Sequence, residues 1–436
     1  MFPGHHLGPH KWLAVVEGVI DTAQGYLEQA SKGTTKERAS ILVRDAERLG
    51  NTAYRLLRYM SGSEAEHIPH QIVAPFQRSV DALGIKNTIF FRADHVPNYE
   101  LRPEDLRKFV DQINDPSQSL LDAVAHIEWP ILRVTVPSQA MGMLPHFSVV
   151  AHELGHAIQH RIKFGFRQYA TQILDAAKRV EARLAAAQIK YGKEEQLLFV
   201  SMLASWTEEL KSDAVGYYLF GPAFYFALSG FLELVNQGYG IGEAHPPSHF
   251  RRCLLVQHLV SGAPSFSTVL KEGAGLDLEE EINSPHLSAL PAKNILFGRL
   301  SLKLSTRAAA VAVELVDVIE LMGSDIYDSA LKLLQTDSPD LIYTPVQLKQ
   351  DLKAHLEPLI NLVPPIEARQ GDAVVPSSLA SILNVGWAAL LAKITEIQPP
   401  AGGEGDADAR QMERLHELLL KAVELSEARR LWDEQP

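Results

Sequence analysis

Cysteine is nearly absent from this chain: among 436 residues, only Cys253 carries a thiol. A single thiol cannot form an intrachain disulfide, so nothing in the sequence indicates an oxidising compartment. An excess of positive charge is absent too, because 41 Lys and Arg stand against 53 Asp and Glu and the formal net charge is −12. Since phosphate binding depends on a clustered basic surface, nucleic acid is not expected as a partner.

Long apolar runs are equally scarce. Residues 1–24 lack the basic-then-apolar pattern of a signal peptide. The run Ala214–Leu232 has the length of a membrane span, but Gly221 and Pro222 interrupt it and the charged Asp213 directly precedes it. We therefore expect buried helices in this part of the chain, no membrane span and a cytoplasmic location.

The residues that are present favour helix. Hydrophobic side chains at three- and four-residue spacing over 11–61 predict two helices that form a hairpin around Lys32-Gly33. Two runs rich in β-branched and aromatic residues, 87–93 and 129–136, predict strands. The expected fold class is α+β and mostly α-helical, with a small sheet ahead of the central helices.

Changes in sequence character divide the chain into three regions. Residues 1–84 are expected to form a helical N-terminal region, 85–265 a central core, and 266–436 a helical C-terminal region. The Pro-, Gly- and acid-rich segment 396–411 predicts a flexible linker. Within the core, RPEDLRKFVDQIN (102–114) predicts a helix with a proline near its first turn.

The central region contains the sequence AHELGHAIQH, in which His152 and His156 are four residues apart. On a helix this spacing places both imidazoles on one face, where they can bind one metal ion. Glu153 lies about 100° further round the helix, so it can act as a general base on water without binding the metal itself. The HExxH pattern therefore predicts a catalytic metal site; the alternative is a pair of ordinary surface or hydrogen-bonded histidines.

A third protein ligand is required, because a catalytic zinc site has three protein ligands and one open position. Glu209 and Asp213, in TEELKSDAVG, are four residues apart on a predicted helix and share one face. Glu209 is the expected third ligand, and Asp213 is expected to accept a hydrogen bond from a ligating histidine. Glu208 is the rival ligand, but no acidic residue follows it four positions later. The alternative is that these carboxylates are solvated. The apolar sequence that follows them argues against this alternative, because it favours burial of the carboxylates beside a cation.

The segment EAHPPSHFRRC supplies a further element of the site. His245 precedes two prolines, which keep its backbone out of a helix, and Arg251 follows six residues later. A hydrolytic metal site forms a tetrahedral intermediate with an oxyanion, which a His or Arg donor opposite the metal stabilises. We expect His245 or Arg251 to fill this role; the alternative is that the HPP sequence is only a turn.

Taken in order, HELGH, ExxxD and HPP…R resemble the motifs of the gluzincin metallopeptidases. The spacing is similar to that of the branch with the CAAX prenyl endopeptidases and the HtpX-like proteases, and the likeness covers roughly residues 85–260. It implies a gluzincin-like core with a small sheet ahead of the HExxH helix. The roles that it implies are zinc ligand for His152, His156 and Glu209, base for Glu153, orientation of a ligand for Asp213, and a place near the active site for His245 and Arg251.

The resemblance also implies a short edge strand ahead of the HExxH helix, formed here by ILRVTV (131–136). In the family this strand aligns an extended peptide through backbone hydrogen bonds. That branch often has several transmembrane helices, and this chain departs from it because none is predicted.

The predicted function is that of a zinc-dependent metallopeptidase acting on a peptide or protein substrate. Two other functions stay open from the sequence. In the first alternative function, zinc only stabilises the central region, and the helical flanks bind a protein partner. In the second, the site hydrolyses a non-peptide amide or ester. Two histidines and one carboxylate can also hold iron, so zinc is chosen on the gluzincin resemblance.

Overall fold

The computed structural model consists of two compact units, Met1–Gly142 and Met143–Pro436, which we call the N-terminal and C-terminal units and describe separately. Helices dominate, and among the described residues the strands form a three-stranded sheet and a two-stranded hairpin. The expected α+β, mostly α-helical class is confirmed. The three predicted regions stay a prediction, because the two units are defined by compactness and not by sequence character. The structure describes all residues except 1–6, 61–67, 96–97, 106, 128–129, 139–141, 237–241, 279–292, 303, 371–372, 400–405 and 435–436.

The N-terminal unit begins with a helical hairpin. Its helices are α1 (Leu7–Ser31), α2 (Lys36–Met60), α3 (Val73–Ala82), α4 (Arg107–Val110) and α5 (Gln118–Ala125). The turn between α1 and α2 contains Gly33, whose φ of 81° lies in the left-handed region that glycine adopts without strain. Trp12 of α1 donates its Nε1–H to the carbonyl oxygen of Leu56 at 3.1 Å, and its ring stacks on that of Phe90. The predicted hairpin is therefore confirmed.

A mixed sheet completes the N-terminal unit. Its strands are β1 (Ile89–Asp94), β2 (Glu100–Glu104) and β3 (Ile131–Pro137). β3 pairs in parallel with β1 and antiparallel with β2, and all seven of its residues are buried. The strands predicted at 87–93 and 129–136 are confirmed, but the expected edge strand is wrong. β3 is the central strand, so both of its hydrogen-bonding edges are already paired and neither can align a peptide.

The helix predicted over 102–114 is mostly wrong. Residues up to Glu104 belong to β2, and only α4 is helical among the described residues of this segment. Pro103 lies opposite Leu132 of β3 in the antiparallel register. Because β2 is an edge strand, a proline is tolerated there. Pairing with β3 therefore overrides the local helical pattern.

The C-terminal unit is built around two long helices that pack on each other. Its helices are α6 (Val150–Ile158), α7 (Ala170–Ala186), α8 (Lys193–Phe220), α9 (Pro222–Asn236), α10 (Ser248–Val260), α11 (Phe266–Ala274), α12 (Lys293–Leu300), α13 (Thr306–Asp337), α14 (Pro345–Ile360), α15 (Leu379–Lys393) and α16 (Ala407–Asp433), and its hairpin is β4 (Glu367–Gln370) with β5 (Ala373–Pro376). The long pair is α8 and α13, and α6 packs against α8. α8 therefore lies between α13 and the helix that carries HELGH.

The apolar run Ala214–Leu232 is divided between α8 and α9. α8 ends at Phe220, and Gly221, with a φ of 53°, separates it from the first residue of α9. Most side chains of the run are buried, so the prediction of buried helices is confirmed. Among the described residues, one segment, Leu379–Glu396, is long and apolar enough to cross a membrane, and 56% of it is buried inside the fold. A helix in the core of a protein can be equally long and apolar without crossing a membrane.

The linker predicted at 396–411 is partly wrong at its C-terminal end. Residues 400–405 lie outside the described residues, but α16 begins at Ala407. The side chain of Asp406 caps this helix by accepting a hydrogen bond from the backbone N–H of Asp408 at 3.3 Å. The last residues of the predicted linker are therefore the first turn of a helix.

Candidate metal centre

α6 and α8 approach each other closely, and the candidate site lies where they cross. Gly155 of α6 permits this approach, because a Cβ atom added there would come within 2.5 Å of the Cα atom of Ser212 on α8. Gly155 lies between the two histidines of HELGH, and Ser212 lies between the two acids predicted to act with them. The close contact therefore brings the histidines of one helix opposite the carboxylates of the other.

Three side chains converge at this crossing. His152 Nε2 lies 3.1 Å from His156 Nε2 and 3.4 Å from Glu209 Oε2, and His156 Nε2 lies 3.3 Å from Glu209 Oε1. Ligand atoms that each sit about 2.0–2.1 Å from a tetrahedral zinc ion stand about 3.3 Å apart. Within the part of the chain that the structure describes, no other group of His, Cys, Asp and Glu converges in this way. The predicted residues therefore present two imidazoles and a carboxylate at the separations of a metal-ligand set.

Glu209, and not its neighbour Glu208, faces the histidines. The Glu209 side chain is buried, whereas Glu208 is exposed. Glu209 Oε2 is 3.4 Å from both His152 Nε2 and Arg251 Nη1, yet it accepts no hydrogen bond from the described residues. A buried carboxylate oxygen without a hydrogen bond is costly, and Arg251, whose shorter hydrogen bonds go to Asp213, offsets this cost only in part. The donor set and the unbonded oxygen both fit a divalent cation.

Asp213 lies behind His152, as predicted. Its Oδ1 accepts a hydrogen bond from the Nδ1–H of His152 at 2.8 Å, which leaves the lone pair of Nε2 free to face the other ligands. Arg251 holds the same carboxylate: its Nε donates to Oδ2 and its Nη2 donates to Oδ1, both at 2.7 Å. The buried guanidinium therefore orients the carboxylate of Asp213. The oxyanion role suggested for it from the sequence stays a prediction.

The charges of this network depend on one another. Burial alone would lower the pKa of His152, but its hydrogen bond to Asp213 and the nearby carboxylate of Glu209 outweigh burial and raise this pKa to about 10. Burial alone would raise the pKa of Asp213, but Arg251 and His152 hold it below its usual value. The nearby imidazoles of His152 and His156, together with Arg251, likewise hold the pKa of Glu209 well below its usual range, against the effect of burial. Without a cation, His152 is therefore protonated between the carboxylates, and a metal ion would displace that proton.

His245 approaches the ligand set from the segment before α10. The two prolines after it are buried, and Trp206 of α8 donates its Nε1–H to the carbonyl oxygen of Gly242 at 3.2 Å. These contacts place His245 Nε2 3.7 Å from Glu209 Oε1. Because 60% of its side chain is exposed, His245 lies on the solvent-exposed side of the ligand set.

Glu153 is buried on α6 directly after His152. It does not belong to the group of three converging side chains. This is the arrangement expected of a base, because a fourth protein ligand would fill the position that water needs. Its role as a base stays a prediction.

The sequence analysis does not predict the contact between His156 and Gln159. Gln159, three residues after His156, begins the 3-10 turn Gln159–Arg161 that follows α6. Its Oε1 accepts a hydrogen bond from the Nδ1–H of His156 at 3.1 Å. The signal was present in HAIQ, because residues three apart on a helix are neighbours on its surface. The second histidine therefore has its own partner, as the first has Asp213.

No protein-family model, no curated protein and no solved structure matches this chain. The likeness to gluzincins therefore rests on the three motifs and on the convergence of their side chains. The fold of the C-terminal unit adds no family assignment.

Proposed function

We propose that this protein is a zinc-dependent metallopeptidase, in which His152, His156 and Glu209 hold the zinc ion. The observation that carries the proposal is the convergence of these side chains at 3.1–3.4 Å, with a buried Glu209 oxygen that accepts no hydrogen bond from the described residues. When bound, a zinc ion supplies Lewis acidity, which polarises a carbonyl group and lowers the pKa of a water molecule toward neutrality. Iron suits a similar ligand set, and the motifs shared with gluzincins favour zinc.

The chain's own residues move the protons of the proposed reaction. Glu153 accepts a proton from the attacking water as the new C–O bond forms, and it passes this proton to the leaving amine as the C–N bond breaks. Asp213 keeps the proton of His152 on Nδ1, so that Nε2 can bind the metal. His245 donates a hydrogen bond to the oxyanion of the tetrahedral intermediate.

The number of converging ligands supports an enzyme over a purely structural zinc site. A structural site is normally closed by four protein ligands, whereas three side chains converge among the described residues. A non-peptide amide or ester would react at the same centre, so the choice of a peptide rests on the resemblance. The central position of β3 gives no support to peptide alignment by that strand.

Glu153→Gln tests the proposal. We expect the variant to keep its zinc, measured by elemental analysis, and to lose peptide cleavage by about 10²–10⁴-fold, the usual contribution of a general base. Glu208→Gln is the matched control, because Glu208 is exposed on α8 and should leave both zinc content and cleavage unchanged.

Other results of these measurements would favour one of the alternative functions. Undiminished cleavage by Glu153→Gln contradicts the role of the base. Chelator-sensitive hydrolysis of esters or simple amides without cleavage of a peptide library would indicate the non-peptide hydrolase. Tightly bound zinc with no hydrolysis of either kind would indicate the structural role.

A further inference from the structure

The Nδ1 atoms of the two proposed histidine ligands hydrogen-bond to different kinds of group. The side chain of His152 is 8% exposed and donates to Asp213, a carboxylate that Arg251 also holds. The side chain of His156 is 27% exposed and donates to Gln159, a neutral amide, at 3.1 Å. The more exposed ligand therefore has the uncharged partner.

We propose that Gln159 is a positioning residue of the metal centre, which fixes the tautomer and ring orientation of His156 without adding charge. An imidazole nitrogen binds a metal through its lone pair, so the proton must stay on the other nitrogen. An acceptor fixed at Nδ1 keeps the proton there and directs Nε2 at the ligand set. The inference rests on one part of the proposed function, namely that His152, His156 and Glu209 bind a metal ion.

The backbone at Gln159 already explains how α6 ends, so its side chain has another role. The 3-10 turn is closed by the N–H of Ile162, which donates to the backbone carbonyl oxygen of Gln159 at 3.1 Å. Any residue supplies that carbonyl. The amide group of Gln159 is therefore not needed to end the helix, and its oxygen instead accepts the hydrogen bond from His156.

The test is a zinc titration of the full chain against a chromophoric chelator. We expect Gln159→Leu, which removes the acceptor at similar size, to bind zinc about 10–100-fold more weakly than the unaltered protein. Gln159→Glu restores an acceptor of nearly the same shape, so it should bind zinc at least as tightly as the unaltered protein. Gln168→Leu is the matched control, because Gln168 donates to Asp325 at 2.6 Å, and it should leave zinc affinity unchanged.

A second measurement separates positioning from a general loss of structure. The visible spectrum of the cobalt(II)-loaded protein should change in Gln159→Leu and stay unchanged in Gln168→Leu, while the thermal unfolding of the metal-free variants stays the same. Unaltered zinc affinity in Gln159→Leu, or an equal loss in Gln168→Leu, overturns the proposal. If the unaltered protein binds no metal, the proposed function fails together with this inference. If it binds metal, cleaves nothing and is weakened by Gln159→Leu, only the proposed reaction fails.

Discussion

Glu314 and Glu209 are both buried carboxylates of the C-terminal unit, and they have different surroundings. Glu314 of α13 is reached by three cationic side chains: Arg179 at 2.7 Å and Arg183 at 2.7 Å, both from α7, and Lys293 at 2.9 Å from α12. Burial alone would raise the pKa of Glu314, but hydrogen bonds from these cations hold it below its usual value. The chain itself therefore supplies the cations that stabilise this carboxylate, and it shares two of them with Asp317.

Glu209 has no comparable set of cations. Two of its partners are the imidazoles of His152 and His156, and the guanidinium of Arg251 lies 3.4 Å away while its shorter hydrogen bonds go to Asp213. Burial of a carboxylate therefore does not by itself indicate a metal site. Imidazole partners do, because a neutral imidazole can bind a metal ion through its lone pair, whereas the guanidinium and ammonium groups around Glu314 have no lone pair to offer.

The largest expected effects come from removing each carboxylate in turn. Losing a residue that only hydrogen-bonds to a metal ligand can lower metal affinity roughly 100-fold. Glu209→Gln removes a ligand itself, so zinc affinity should fall by more than this. Glu314→Gln should keep the zinc affinity but lower the free energy of unfolding by about 1.5–3 kcal/mol, because a buried acceptor of charge-assisted hydrogen bonds is lost. Chelator competition measures the first effect, and chemical denaturation of the metal-free protein measures the second. Equal zinc affinity in the two variants would remove the distinction drawn between these carboxylates.

The next effect concerns the helix contact that brings the ligands together. Gly155→Ala forces a Cβ atom to within 2.5 Å of the Cα atom of Ser212, so α6 must shift against α8. We expect a loss of about 1–3 kcal/mol in stability and weaker zinc binding, because α6 carries both histidine ligands. Gly25→Ala in α1 is the control, since nothing lies within 4 Å of its added Cβ, and it should be neutral or stabilise by up to about 1 kcal/mol. Similar melting temperatures for the two variants would contradict the close packing at Gly155.

The sequence predicts the ligand residues well, because each pair lies on a single helix. His152 with His156, and Glu209 with Asp213, are four residues apart, and helical geometry alone places each pair on one face. The sequence does not predict what brings the two helices together. That depends on the contact between Gly155 and α8, which no local pattern encodes.

The small sheet shows the same limit. β-branched and aromatic residues predict two of its strands, but the sequence does not predict the order of the strands, because this order depends on which distant segments pair. The sequence does not predict β2 either, because the segment that starts at Arg102 has a helix-like pattern that only pairing with β3 overrides. Gln159 is a different case: its contact with His156 is local, and the sequence would have been sufficient to predict it.

The smallest effect is the response of the centre to pH. In the metal-free protein the pKa of His152 is about 10, raised above the usual 6.5 by Asp213 and Glu209 against the effect of burial. Protonated His152 therefore stabilises the metal-free fold fully below about pH 6.5, and this stability is lost as the pH rises toward about 10. Zinc must displace that proton, so zinc affinity should rise about tenfold, or about 1.4 kcal/mol, for each pH unit between about pH 7 and 9. Chelator competition at three pH values measures the slope. Glu314→Gln should keep this slope, whereas Asp213→Asn should flatten it. A flat response in the unaltered protein would mean that no proton is held between Asp213 and Glu209.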